Sequence, residues 1–211
     1  LARDLIDAGH VTTSREYAVG VDPFKFPKCI RHAAMEGLGW EMDDKAAYPT
    51  ARLAMVPVDS AECAFLIQHR EEIMEKYGAL LAPTLNPAER RQFMKGVING
   101  FDMDSGPDAW RKRVDAPPAL TLRTLAVDLQ ARPQYRIRAY WRAQRASTEW
   151  MADRSPAALQ LIEAYQRRRQ RQLQRPARAA LTLKSYLLQE AEAVARLAKR
   201  AWCAANGVTV A

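Results

Sequence analysis

Proline placement limits how this chain can fold more than any other feature of its sequence. Pro49, Pro57, Pro87, Pro107, the Pro117-Pro118 pair, Pro133, Pro156 and Pro176 interrupt a chain whose intervening stretches are mostly helix-prone. Proline removes a backbone donor and clashes with the preceding turn, so each helix must begin or end near one of these positions. The spacing predicts helices over about 49–55, 60–81, 86–101, 119–130, 135–152, 157–174 and 178–205. Pro133, Pro156 and Pro176 separate the last four.

The clearest boundary is Asn86-Pro87-Ala88-Glu89, which supplies a cap residue, a proline at the first helical position and an acid at the third. Ser60 is positioned to cap the 60–81 helix, whose buried stripe is Phe65, Leu66, Ile73, Met74 and Tyr77. Asn206-Gly207 suits a left-handed stop for the final helix. Leu38, Trp40 and Met42 alternate like a strand, and Val208–Ala211 reads as the opening of another. The fold class expected is therefore α+β, helix-dominated, with few strands.

Hydrophobic residues make up 48% of the 211 and charged residues 27%, as in ordinary globular proteins. No apolar run reaches the length of a membrane span, and the first residues lack a secretory apolar core. Cys29, Cys63 and Cys203 are odd in number and widely spaced, which argues for a reducing intracellular compartment and against a disulfide or zinc framework. His10, His32 and His69 likewise lack ligand spacing. Charge is uneven: residues 1–100 hold 12 Lys+Arg against 14 Asp+Glu, and residues 101–211 hold 20 against 10. A positive half suits a phosphate-rich partner, although the same balance also serves solubility.

Two motifs carry candidate chemistry. Arg91, Lys95 and Asn99 fall four apart on one helix face, and Asp102 extends the stripe. Phe93, Met94, Val97, Ile98 and Phe101 cover the other side. A cationic stripe of this kind can hold a triphosphate, and it can equally be the solvated face of an amphipathic helix. Upstream, Asp43 stands at the end of a possible strand, before a tight turn into the helix containing Tyr48-Pro49. That arrangement can present a carboxylate to Mg2+, and it is also an ordinary acidic turn.

Together these motifs resemble template-directed DNA polymerases. Asp43 followed by Tyr48-Pro49 is similar to the first catalytic motif of family B. Arg91-x-x-x-Lys95 resembles the fingers motif of family A, and Lys95-x-x-x-Asn99 has the family B spacing. Phe24–Arg31 resembles a stretch before the first motif in family-A-like polymerases of large DNA viruses and mobile elements. Leu187–Glu192 resembles the glutamine-bearing palm helix.

The resemblance implies that residues 1–58 begin a palm, 59–118 form fingers-like helices, and 119–211 are a basic helical region returning to the palm. The chain would stop before the strand bearing the second catalytic carboxylate, so it would be an inactive fragment of the enzyme. Asp43 would bind both Mg2+ ions, while Arg91 and Lys95 would bind the dNTP and Tyr48 would gate the sugar. Asn99 and Gln189 would touch the templating pair or the primer end of a DNA primer-template. Asp102-Met103 stands where the fingers motif normally closes with Tyr-Gly, a departure that bears on nucleotide selectivity.

Other features permit two readings each. The tract containing Arg167, Arg168, Arg169 and Arg171 can follow a nucleic-acid backbone or form a solvated helical face. Trp110, Tyr140, Trp141 and Trp150 can stack on bases or anchor helix contacts, whereas Leu197 and Trp202 read as packing residues. Asp102-Met-Asp104 reads as a turn rather than a nucleotide-sugar metal pair. The rival to the polymerase is a non-enzymatic, basic helical domain that binds nucleic acid or protein.

Overall fold

The computed structural model describes residues 46–170 and 178–208. Among them the chain is helix-dominated α+β, with one small antiparallel sheet. In chain order the helices are α1 (Ala47–Met55), α2 (Ser60–Gln68), α3 (Arg70–Leu81), α4 (Pro87–Asp102), α5 (Ile137–Arg154), α6 (Pro156–Gln170) and α7 (Ala179–Ala205). A 3-10 turn, Ala109–Arg113, follows α4, and strands β1 (Val127–Leu129) and β2 (Arg132–Tyr135) precede α5. No described helix is long and apolar enough to cross a membrane.

Backbone contacts divide the chain into a larger unit, Ala46–Ser185, and a second comprising residues 1–45 with Tyr186–Ala211. In the larger unit α3 packs on α4, α1 on α2, and α5 against both α2 and α4. One apolar core joins Leu66, Ile73, Met74 and Tyr77 to Met94, Ile98, Phe101, Leu129, Ile137 and Tyr140. Tyr77 ties three elements together. Its hydroxyl donates to the Tyr135 carbonyl (2.6 Å) and accepts from the Ile137 amide (3.0 Å).

Two predicted helices take other forms. The 60–81 stretch breaks at His69, whose ring stacks on Phe65 at 4.4 Å and whose Nδ1 lies 3.3 Å from Glu72. Asp59, in the left-handed region, precedes the first of the resulting helices without a side-chain cap bond, so Ser60 is its first residue and not its cap. The 119–130 stretch is turn and strand. Val127 and Leu129 are buried while Asp128 between them is exposed, and Leu129 pairs with Arg132 across a two-residue connection. The register is irregular between the two Cα pairs, and Gln134 at φ 62° lies in the bulged stretch. Pro133 sits within β2, which a two-stranded sheet tolerates because its outer edge needs no donor.

In the second unit the described residues are the C-terminal part of α7 and its stop. Gly207 at φ 69° receives the chain, the Val208 amide donates to the Cys203 carbonyl (2.8 Å), and the Gly207 amide donates to that of Ala204 (3.3 Å). This pair of bonds is a Schellman cap, as the sequence predicts. Leu197 and Trp202, expected to pack, are each 59% exposed.

Candidate nucleotide-binding face and a buried polar cluster

The N-terminus of α4 is built as its sequence indicates. The Asn86 side chain accepts from the Glu89 amide (3.0 Å), and the Glu89 carboxylate accepts from the Asn86 amide (3.0 Å). Phe93, Met94, Val97, Ile98 and Phe101 are buried, which fixes the rotation of the helix. Arg91, Lys95 and Asn99 therefore share its other side. Arg91 and Asn99 are exposed and Lys95 is half-buried.

The three residues are not equally available. Arg91 clasps Glu71 of α3 through both guanidinium nitrogens, one of them at 3.1 Å. Lys95 makes no ion pair among the described residues, and the Arg113 guanidinium lies over the adjacent Gly96. Any larger side chain at Gly96 would have to push that guanidinium aside. Lys95 and Arg113 thus offer positive charge on one accessible side of α4, with Asn99 as a neutral donor and acceptor nearby.

Asp43 lies outside the described residues. Just after it, Ala46 adopts the left-handed conformation (φ 53°, ψ 53°) and the chain enters α1, with Tyr48 half-buried in the first turn. Gln189 is half-buried in the second unit. Arg167 is exposed on α6 beside Glu163, one turn earlier, at 3.6 Å. Arg168 and Arg169 belong to α6 by their backbone only, and Arg171 lies outside the described residues. Trp110 and Tyr140 are core residues, whereas Trp141 and Trp150 are partly exposed, with Arg145 and Arg154 respectively over their rings.

Asp102 does not extend the solvated stripe. It is 1% exposed and accepts a hydrogen bond from the Tyr140 hydroxyl. The cause is depth: α5 packs across α4, and it carries Tyr140.

Asp102 belongs to a buried polar cluster that sequence reasoning missed. Arg52 of α1 is 1% exposed and donates to the Cys63 thiol, to the Val58 carbonyl (3.0 Å) and to the Ala143 carbonyl (3.0 Å). Lys184, with no measurable exposure, donates to the carbonyl (3.2 Å) and side-chain oxygen (3.0 Å) of Gln144. Burial pushes the Asp102 carboxyl up to about 6, against the pull of Tyr140, Lys184, Arg52 and Arg70. It lowers the Lys184 ammonium to about 8, with Asp102 opposing, and raises the Cys63 thiol despite Arg52 beside it. One signal was available in the sequence: Pro49 and Arg52 share the buried face of α1 and buried Val56 follows at its C-cap, which places an arginine in an apolar period.

The cluster has no access to solvent, so its chemistry is structural. Among the described residues no group of three His, Cys, Asp or Glu side chains converges as a metal-ligand set. The chain matches no protein-family model, no curated protein and no solved structure.

Proposed function

We propose that this chain is the palm-and-fingers segment of a template-directed DNA polymerase, acting on a DNA primer-template and dNTP in a reducing compartment. The observation that carries the reading is α4. It is a firmly capped helix whose apolar side is sunk in the core while Lys95 and Asn99 stand on the accessible side, as a helix receiving a triphosphate requires. The left-handed turn at Ala46 into α1, three residues on from Asp43 in the sequence, supports the other half of the motif pair.

On this reading Asp43 helps hold two Mg2+ ions, which supply activation of the primer hydroxyl and neutralisation of the leaving pyrophosphate. Lys95 binds the triphosphate as a point charge, with Arg113 close enough along the helix to share the load. Arg91 is occupied by Glu71, so its contribution to the nucleotide requires that ion pair to open. It is an exposed pair and costs little to break. Tyr48 gates the sugar, and Asn99 and Gln189 meet the templating pair or primer end.

The experiment is nucleotide incorporation by the complete protein on a primed template. Asp43→Asn should abolish incorporation while duplex binding persists, and Lys95→Ala should mainly raise the KM for dNTP. Normal incorporation by Asp43→Asn would refute the site.

A second reading, a non-catalytic helical domain that binds nucleic acid, is favoured by the arginines that α5 presents to solvent. It predicts binding without incorporation.

A further inference from the structure

α5 carries a row of arginines that neither motif includes. Arg138, Arg142 and Arg145 recur at four and three residues, so they lie along one side of the helix. Arg142 and Arg145 are exposed and Arg138 is partly so. Two further arginines flank the start of the row, because exposed Arg136 donates to the carbonyl of exposed Arg123 (3.2 Å). Acidic groups neutralise little of this charge. Asp104 is shared between Arg145 (3.7 Å) and Arg178 (3.2 Å), and Asp108 is the acidic group that acts on Arg138. Partial desolvation, and after it the like charges of Arg142 and Arg123, lower the affinity of the Arg138 guanidinium for its proton, with Asp108 opposing.

We propose that this arginine row binds the sugar-phosphate backbone of a nucleic-acid strand. Three observations select that partner. From Arg138 to Arg145 the row rises by seven helical steps, about 10.5 Å of helix, close to the ~10 Å rise of three nucleotides in one strand. Guanidinium forks suit phosphate oxygens bidentately. Trp141 on the same side is held by its indole N–H to the Ser105 carbonyl (2.9 Å), with Arg145 over its ring. The ring also packs against the core, so it holds Arg145 in place at the end of the row and is not itself an open stacking plane. A lipid surface fits less well, because none of the large exposed apolar residues lies on α5 to enter a bilayer.

The inference rests on the nucleic-acid half of the reading above and not on catalysis. Its test therefore reads binding alone. The full chain is titrated against a labelled single-stranded DNA oligonucleotide by fluorescence anisotropy over a range of salt. Arg138→Gln with Arg142→Gln should weaken binding about tenfold and reduce the slope of log affinity against log salt by about two. A control pair of equal charge, Lys112→Gln with Arg154→Gln, should leave the slope nearly unchanged, and circular dichroism should match wild type in both. Equal slopes for the two double variants, or no binding by the wild type, overturn the proposal. Binding by the complete wild-type protein with no incorporation on a primed template would instead strike only the catalytic reading.

Discussion

The two ends of α4 hold charge under opposite conditions. Near its start, Arg91 meets Glu71 with both side chains roughly half exposed. At its end, Asp102 is sealed beneath Tyr140 in a cluster that also holds Arg52 and Lys184. Helical periodicity puts both residues on nearly the same side of the helix, so local pattern alone would treat them alike. What separates them is what lies above: solvent and α3 at one end, α5 at the other. Water screens the first pair and makes it dispensable, while the second has no substitute for its partners.

That contrast predicts a wide spread of stabilities. Asp102→Ala should be the most damaging change, costing about 3–5 kcal/mol in urea denaturation because it leaves Arg52 and Lys184 buried without their counter-charge. A loss below about 1 kcal/mol would mean that Asp102 is not the anchor of the cluster. Replacing Asp102 by Asn together with Lys184 by Met should recover part of the loss, since the buried charge falls with both.

The pH dependence is next in size. The Asp102 carboxyl titrates at about 6 in the fold, above its ordinary 3.8, so the folded state binds its proton more tightly. Its contribution to stability therefore falls as pH rises from about 4 to 6. The Lys184 ammonium titrates at about 8, below 10.5, so the unfolded chain holds that proton more tightly. Stability from this group rises between about pH 8 and 10.5. Relative to the double variant, wild type should pass through a shallow minimum between pH 6 and 8, roughly 2–3 kcal/mol deep. A flat difference curve would show that the cluster is wetter than its packing indicates.

At the other end of α4 the effects shrink. Asn86→Ala removes the capping acceptor and should cost about 1 kcal/mol. Glu71→Gln should cost under about 1 kcal/mol and grow weaker still in high salt. If Glu71→Gln instead rivalled Asp102→Ala, the exposed and buried ends would not differ as described.

Sequence legibility followed the same division. Where a boundary rests on local chemistry it could be read directly: the Asn86/Glu89 box and the Gly207 cap are both formed as their residues suggest. The apolar face of α4 was equally readable from its period. The β1–β2 hairpin was not, because Gln130 and Ala131 carry none of the usual turn signals and only pairing with β2 reveals the strand. The break at His69 has no glycine or proline to announce it. For the candidate site, the sequence placed Lys95 and Asn99 on an accessible face but could not foresee Glu71 taking Arg91. The buried Arg52, Cys63, Asp102, Gln144 and Lys184 converge from four helices and the end of a fifth, a meeting that no short motif encodes.

The Tyr77 hydroxyl has a consequence for exchange kinetics. First-turn amides of a helix ordinarily trade hydrogen with solvent quickly, since they have no partner within the helix. The Ile137 amide heads α5, yet its bond ends on a phenol sealed in the core. Its deuterium uptake should therefore be as slow as that of mid-helix amides and should report opening of the whole core, not fraying of one end.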